Sequence, residues 1–222
     1  MRNKYRKNMK NGIIIIGMGK GLSLGIAKKF GAEGYEIGMI SRNEQNLNAY
    51  QLELATLNIT SFYASADVSN EVELVNALEK LRGDMSNVNV LQYNAVDYRM
   101  VHVLDETAET LTNGFKISVA NVITAVNYLL PTLTENKGAV LLTGGGTANY
   151  PYAGMSSISL GKAGIKNLTY QLNEALKEKQ VFVGTVTICN IISEDSVTHN
   201  PTVLANKFWE LNESRNEIEI IY

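Results

Sequence analysis

The chain is poor in the residues from which covalent and metal-bound sites are usually built. Cys189 is the one cysteine and His102 and His199 the two histidines among 222 residues, which excludes an internal disulfide, a cysteine zinc site and a histidine cluster. Both histidines read as ordinary loop residues, and no metal is expected. Neither sign of charge prevails: 20 Lys and Arg against 22 Asp and Glu leave a net charge of −2, so the chain as a whole makes no electrostatic case for nucleic acid. Arg2, Lys4, Arg6, Lys7 and Lys10 do crowd the start. Residues 1–11 read as a basic, flexible tail that, without an aromatic platform, gives only salt-sensitive and non-specific contact. The isoleucine run behind it is too short for a membrane span or a signal sequence, so no membrane is expected and the location expected is the cytoplasm. Internal repeats, low-complexity linkers and composition breaks are missing too. At 45% hydrophobic residues, 222 positions fill one sizeable core, and residues 12–222 read as one domain.

What the sequence does have is a strong start. Residues 12–27 read Gly-Ile-Ile-Ile-Ile-Gly-Met-Gly-Lys-Gly-Leu-Ser-Leu-Gly-Ile-Ala. Four isoleucines followed by glycines at 17, 19 and 21 and a helical pattern describe a buried parallel strand turning sharply into a helix. Glycines permit positive φ and carry no Cβ, so the backbone can pass close to a pyrophosphate while the helix start turns its free N–H groups toward the charge. Gly17, Gly21 and the small Ser23 stand at GxxxGxG spacing, with serine in the last place.

Strands and helices then alternate strictly. Strands are expected at 35–40, 59–64, 88–93, 138–142, 181–188 and 218–222. Between them fall a helix capped by Asn43, one opened by Ser69 with Val72, Val75, Leu78 and Leu81 on its apolar face, one over 111–130 ended by Pro131, one over 155–179, and one over 203–211. Such alternation implies an α/β fold, a single-domain doubly wound parallel sheet of Rossmann type with helices on both faces and ligands at the carboxyl ends of the strands.

With those elements placed, the chain resembles the short-chain dehydrogenase/reductase family over nearly its whole length. Gly17, Gly21 and Ser23 fall on the family's phosphate-binding turn, Asp67-Val68 on its adenine-binding acidic position and Asn94-Ala95 on its NNAG segment. Lys162 falls on the lysine of YxxxK. The resemblance also implies cofactor contacts from Gly19, Leu22 and Ile191. Ser41 holds the place where a carboxylate would select NAD, and Arg42 and Lys20 stand where cations select the 2′-phosphate, so the expected cofactor is NADP(H).

The resemblance implies hydride transfer by a tyrosine, serine, lysine and asparagine set, and here this chain departs from it. Four residues before Lys162 stands Ile158; the serine position is Gly145, and the asparagine position, counted from Pro131, is Ser118. Only Lys162 is kept. Substitutes offered by the sequence are Tyr150 and Tyr152 on the preceding loop and Ser156, Ser157 and Ser159 at the helix start, where capping is the reading for the serines. Hydride transfer to an activated alkene or quinone with protons from water needs no such residue. Cys189 reads as a buried structural thiol, and the short segment beyond the sixth strand implies a small or open substrate pocket. Two functions remain: an NADP(H)-dependent oxidoreductase with an atypical site and an unknown small-molecule substrate, or a non-catalytic NADP(H)-binding sensor or partner subunit. The family resemblance implies a homodimer or homotetramer.

Overall fold

A computed structural model of the protein describes residues 10–222. Arg2, Lys4, Arg6 and Lys7 of the expected tail lie outside the described residues. Lys10 and Asn11 already belong to the fold, for the Lys10 ammonium reaches Thr60 Oγ1 at 3.5 Å and the Asn11 carbonyl accepts from Glu36 N at 2.8 Å.

In chain order the elements are β1 (Gly12–Ile16), α1 (Leu22–Ala32), β2 (Glu36–Ser41), α2 (Glu44–Thr56), β3 (Ser61–Ser65), α3 (Glu71–Asp84), β4 (Val90–Tyr93), α4 (Ala108–Phe115), α5 (Asn121–Asn136), β5 (Ala139–Gly145), α6 (Ser156–Leu176), β6 (Phe182–Ile188), α7 (Pro201–Ser214) and β7 (Glu219–Ile221). The strands form one sheet in the order β3-β2-β1-β4-β5-β6-β7, every pair parallel. This is the doubly wound Rossmann-type sheet expected from the alternation. The winding reverses between β1 and β4, which leaves a crevice at their carboxyl ends.

Side chains of a strand alternate between faces, and β1 feeds two cores. Ile14 and Ile16 join α3, α5 and α6 on one face; Ile13 and Ile15 join α1, α2 and α7 on the other. All four are 0% exposed, and their burial contributes on the order of 6–12 kcal/mol before the entropy of ordering is counted.

The helix expected over 111–130 differs most from its reading. It starts three residues earlier, at Ala108, because Thr107 and Thr110 form a reciprocal cap. One wide π-type turn over Lys116–Ala120 then joins α4 to α5. Pro131 does not end the helix, which runs on to Asn136. The hydrogen bond that proline forfeits belongs to the exposed Asn127 carbonyl, which water can satisfy, while Leu129 and Leu133 stay fully buried on the opposite face. By length and hydropathy Ala108–Asn136 would suffice to cross a bilayer; here its apolar face, from Val119 to Leu133, is core of the sheet. The cap of α3 is Asn70 rather than Ser69, with Asn70 Oδ1 accepting from Val72 N and Glu73 N. Its buried face uses Leu74, Ala77, Leu78 and Leu81, and Val72 is exposed.

Candidate functional site

The turn after β1 is built around one obligatory glycine. Gly17 has φ +87°, and a Cβ there would lie 2.4 Å from Ala95 N, inside the backbone of the β4 loop. At Gly19 and Gly21 a Cβ would meet nothing within 4 Å, so these glycines border open space. Helix α1 begins at that space with no side-chain cap and no acidic residue in its first turn, so its positive end is free for an anion. Ser23 explains its own presence in the glycine position: its buried hydroxyl donates to Gly17 O at 2.9 Å and accepts from Asn94 Nδ2 at 2.6 Å. The turn is thereby tied to the end of β4 across the crevice.

A cavity of about 600 Å³ lies along this crevice, and Gly17, Ser41, Arg42, Asp67, Val68, Asn94 and Ala95 all line it. Four segments far apart in sequence are thus brought together. The amide of Ser69 donates to Asp67 Oδ1 at 2.8 Å, and that bond, the Ser69 hydroxyl and the Arg42 charge hold the Asp67 carboxyl below the usual carboxylate range against the effect of burial. Lys20 is exposed and does not line this cavity.

A second cavity of about 980 Å³ adjoins, lined by Gly21, Leu22, Gly146, Ile158, Cys189 and Ile191 among others, with Tyr98 common to both cavities. Its volume is not that of a small pocket. Cys189 is exposed in this wall rather than buried, because β6 ends at Ile188 and the next residue already faces the crevice. Tyr150 lines the cavity; Tyr152, 62% exposed, does not.

Lys162 lies apart from both linings. Its partly buried side chain runs past Gly145, where a Cβ would stand 3.1–3.3 Å from Lys162 Cγ, Cδ and Cε, and its ammonium donates to Thr143 O at 2.8 Å. Burial of that ammonium pushes its pKa down to about 8. Gln92 on β4 donates to the Thr143 hydroxyl at 3.0 Å, so the lysine joins a polar seam inside the sheet. Ser118 sits in the π-type turn, buried, with its hydroxyl accepting from Asp97 N at 3.0 Å, and it lines neither cavity.

The serines at the start of α6 do not cap it. Ser156 Oγ donates to Val101 O and to Glu106 Oε1, Ser157 Oγ donates to Asp97 Oδ2, and Ser159 Oγ accepts from Tyr152 N. Ser156 and Ser157 fasten the helix to the loop after β4, where Arg99 bridges Asp97 and Glu106 at 2.7 and 3.1 Å. Thr110, Ser156 and Arg99 hold the Glu106 carboxyl below its ordinary range. Sequence reasoning missed this cluster. Its only sequence signal is the close spacing of Asp97, Arg99 and Glu106 after Asn94-Ala95, which does not say that α6 lies opposite.

The family model for short chain dehydrogenase matches residues 11–200. The chain belongs to that family. As a short-chain dehydrogenase it is an oxidoreductase-type protein, and the family uses nicotinamide cofactors. A serine 3-dehydrogenase of Rhizobium radiobacter is 26% identical over 185 residues, covering 80% of this chain and 71% of the relative. Carbonyl reductase family member 4 of Xenopus laevis is 21% identical over 211 residues, covering 90% and 85%. Among solved structures, a short-chain dehydrogenase of Rhodopseudomonas palustris has a TM-score of 0.82 at 19% identity, with 96% of this chain and 97% of that one covered. A metagenomic short-chain oxidoreductase in complex with NADP has a TM-score of 0.83 at 17% identity, covering 96% and 95%. The structural likenesses establish that this short-chain dehydrogenase shares the family fold.

Proposed function

We propose that this short-chain dehydrogenase is an NADP(H)-dependent oxidoreductase working with an atypical site, in which Ile158 and Gly145 stand where the family has tyrosine and serine. The observation that carries the cofactor reading is the wall at the end of β2: Ser41 and Arg42 line the same cavity as Gly17, where a carboxylate would repel a 2′-phosphate. The residues present fit a dinucleotide, since Gly19 and Gly21 border open space, α1 starts uncapped, and Gly17 admits no side chain. Gly17, Gly19 and Gly21 would face the pyrophosphate, Asp67 and Val68 the adenine side, Arg42 the 2′-phosphate, and Leu22 and Ile191 the nicotinamide side.

When bound, the cofactor supplies or accepts a hydride. The chain's own part is to bind, to orient and to exclude water. Ser23 and Asn94 tie the glycine turn in place without a ligand, which lowers the ordering cost of binding. Ile158 contributes apolar surface to the second cavity and no proton. Lys162 holds its proton at Nζ on the Thr143 carbonyl.

The test is a fluorescence titration of NADPH and NADH with the wild-type protein and Arg42→Ala. A charge-assisted hydrogen bond contributes about 1.5–3 kcal/mol, so NADPH is expected to bind about tenfold or more weakly to the variant with NADH nearly unchanged; equal weakening of both refutes the assignment. The tie between Lys162 and Thr143 supports a second reading, a non-catalytic NADP(H)-binding sensor or partner subunit. Tight NADPH binding without turnover of aldehydes, ketones, enones and quinones would favour it, whereas turnover that disappears in Lys162→Ala favours the enzyme.

A further inference from the structure

The sheet ends at β3, and the strand's own sequence carries no charge to protect that end. From Leu54 to Ala66 every residue is uncharged, and β3 itself reads Ser-Phe-Tyr-Ala-Ser, a run of high β propensity without glycine or proline. Such a strand on a free edge is a template for pairing with another chain.

The register says which main-chain groups face outward. Ile37 lies opposite Ser61 and donates to Thr60 O at 3.0 Å, and Ala66 N donates to Ser41 O at 3.0 Å. Residues 60, 62, 64 and 66 therefore turn their main-chain groups toward β2, and Ser61, Tyr63 and Ser65 turn theirs away from the sheet. Side chains from the flanking helices occupy two of the outward carbonyls. Gln51 Nε2 of α2 donates to Ser61 O at 2.6 Å, and Lys80 Nζ of α3 donates to Tyr63 O at 2.8 Å. The lysine is steadied one turn along α3, where Asp84 Oδ2 lies 3.1 Å from its ammonium. Both donors line a groove of about 570 Å³ beside the strand, together with Glu44, Glu73 and Asp84. The groove is open to solvent, so these side chains rather than a covering element stand between β3 and a further strand.

We infer that Gln51 and Lys80 close the β3 edge against strand addition by a second copy of this chain. A copy carries the matching edge. Two β3 strands related by a two-fold axis run antiparallel and present the same outward groups, at Ser61, Tyr63 and Ser65, to one another. Pairing has to take Ser61 O from Gln51 and Tyr63 O from Lys80 before it gains its own bonds. Neither guard lines the two cavities at the carboxyl ends of the strands, so this device is separate from the cofactor site.

The experiment uses the full chain. Gln51→Leu and Lys80→Met remove the two donors at similar size, and Asp84→Asn is added so that the net charge of the groove is unchanged. Circular dichroism and urea unfolding check the fold, and sedimentation velocity over a range of concentrations reads association beyond that of the wild type. The triple variant is expected to associate about tenfold or more strongly than wild type. Adding Ser61→Pro, which removes an outward N–H and no bond to β2, is expected to abolish the gain. A folded triple variant that associates no more strongly than wild type overturns the proposal, and so does a gain that Ser61→Pro leaves intact. A second measurement relies on milder changes, with a fluorescent peptide of residues 60–66 as the added strand. By anisotropy the peptide is expected to bind Lys80→Met with Asp84→Asn about threefold or more tightly than wild type, and to bind Lys80→Arg, which keeps a donor, as it binds wild type. Equal binding to all three proteins overturns the proposal whether or not the triple variant folds.

Discussion

Replacing Lys162 by methionine tests the polar seam formed by Lys162, Thr143 and Gln92. Burial lowers the pKa of that ammonium from 10.5 to about 8, so the folded chain binds the proton less tightly than the unfolded chain does. The sign follows from linkage: for a lysine with a depressed folded pKa, the cost of burying the charge is fully present below about pH 8 and is relieved as pH rises toward 10.5. The shift of about 2.5 units corresponds to roughly 3 kcal/mol at pH 7, of which about 2–3 kcal/mol is regained by pH 10. Methionine keeps the apolar stem beside Gly145 and has no proton to titrate. Urea unfolding of both proteins at pH 7 and pH 10 supplies the comparison, and contributions from the tyrosines cancel in the difference. Wild type is expected to gain about 2–3 kcal/mol over Lys162→Met on going from pH 7 to pH 10. Parallel behaviour of the two proteins would show that the ammonium is solvated and that its bond to Thr143 does not withdraw it from water.

Gly17→Ala would set a Cβ 2.4 Å from Ala95 N at a φ of +87°, so a loss of about 3 kcal/mol or more in urea unfolding is expected together with lost NADPH binding. Ser23→Ala leaves Asn94 Nδ2 and Gly17 O without their shared partner, a cost of about 1–3 kcal/mol by the same measurement; an unchanged midpoint would show that the turn does not depend on the bridge. Gly145→Ser forces the Lys162 stem, 3.1–3.3 Å from the new Cβ, to move by a few tenths of an ångström. The expected outcome is release of the ammonium from Thr143 and a rise of its pKa toward the ordinary lysine value, read by NMR titration of Nζ, and no rise would mean that the stem yields without freeing the head.

Much of the fold is legible in the chain because its signals are local. The isoleucines of β1 and the glycines after it declare a buried strand and a tight turn within a dozen residues, and Asp67 and Asn94 end strands that a reader finds by alternation alone. Their meeting in one cavity follows from the sheet order once the strands are placed. What the sequence hides is decided at long range. Pro131 reads as a stop by its own chemistry, yet Leu129 and Leu133 keep the helix in the core and the orphaned carbonyl faces water. Ser156 and Ser157 read as caps, but their hydroxyls answer carboxylates that lie fifty to sixty residues earlier in the chain. Cys189 reads as buried because cysteines usually are, and only the end of β6 shows it in a cavity wall. The choice between Tyr150 and Tyr152 turns on a loop path that no periodicity encodes.

The segment from Asn94 to Arg99 is held at both ends, by Ser23 on one side and by the Asp97, Arg99, Glu106 and Ser157 cluster on the other. Tyr98 stands between those anchors and lines both cavities. A substitution at Arg42 or at Ile158 changes the wall of one cavity alone, whereas a substitution at Tyr98 changes both walls at once.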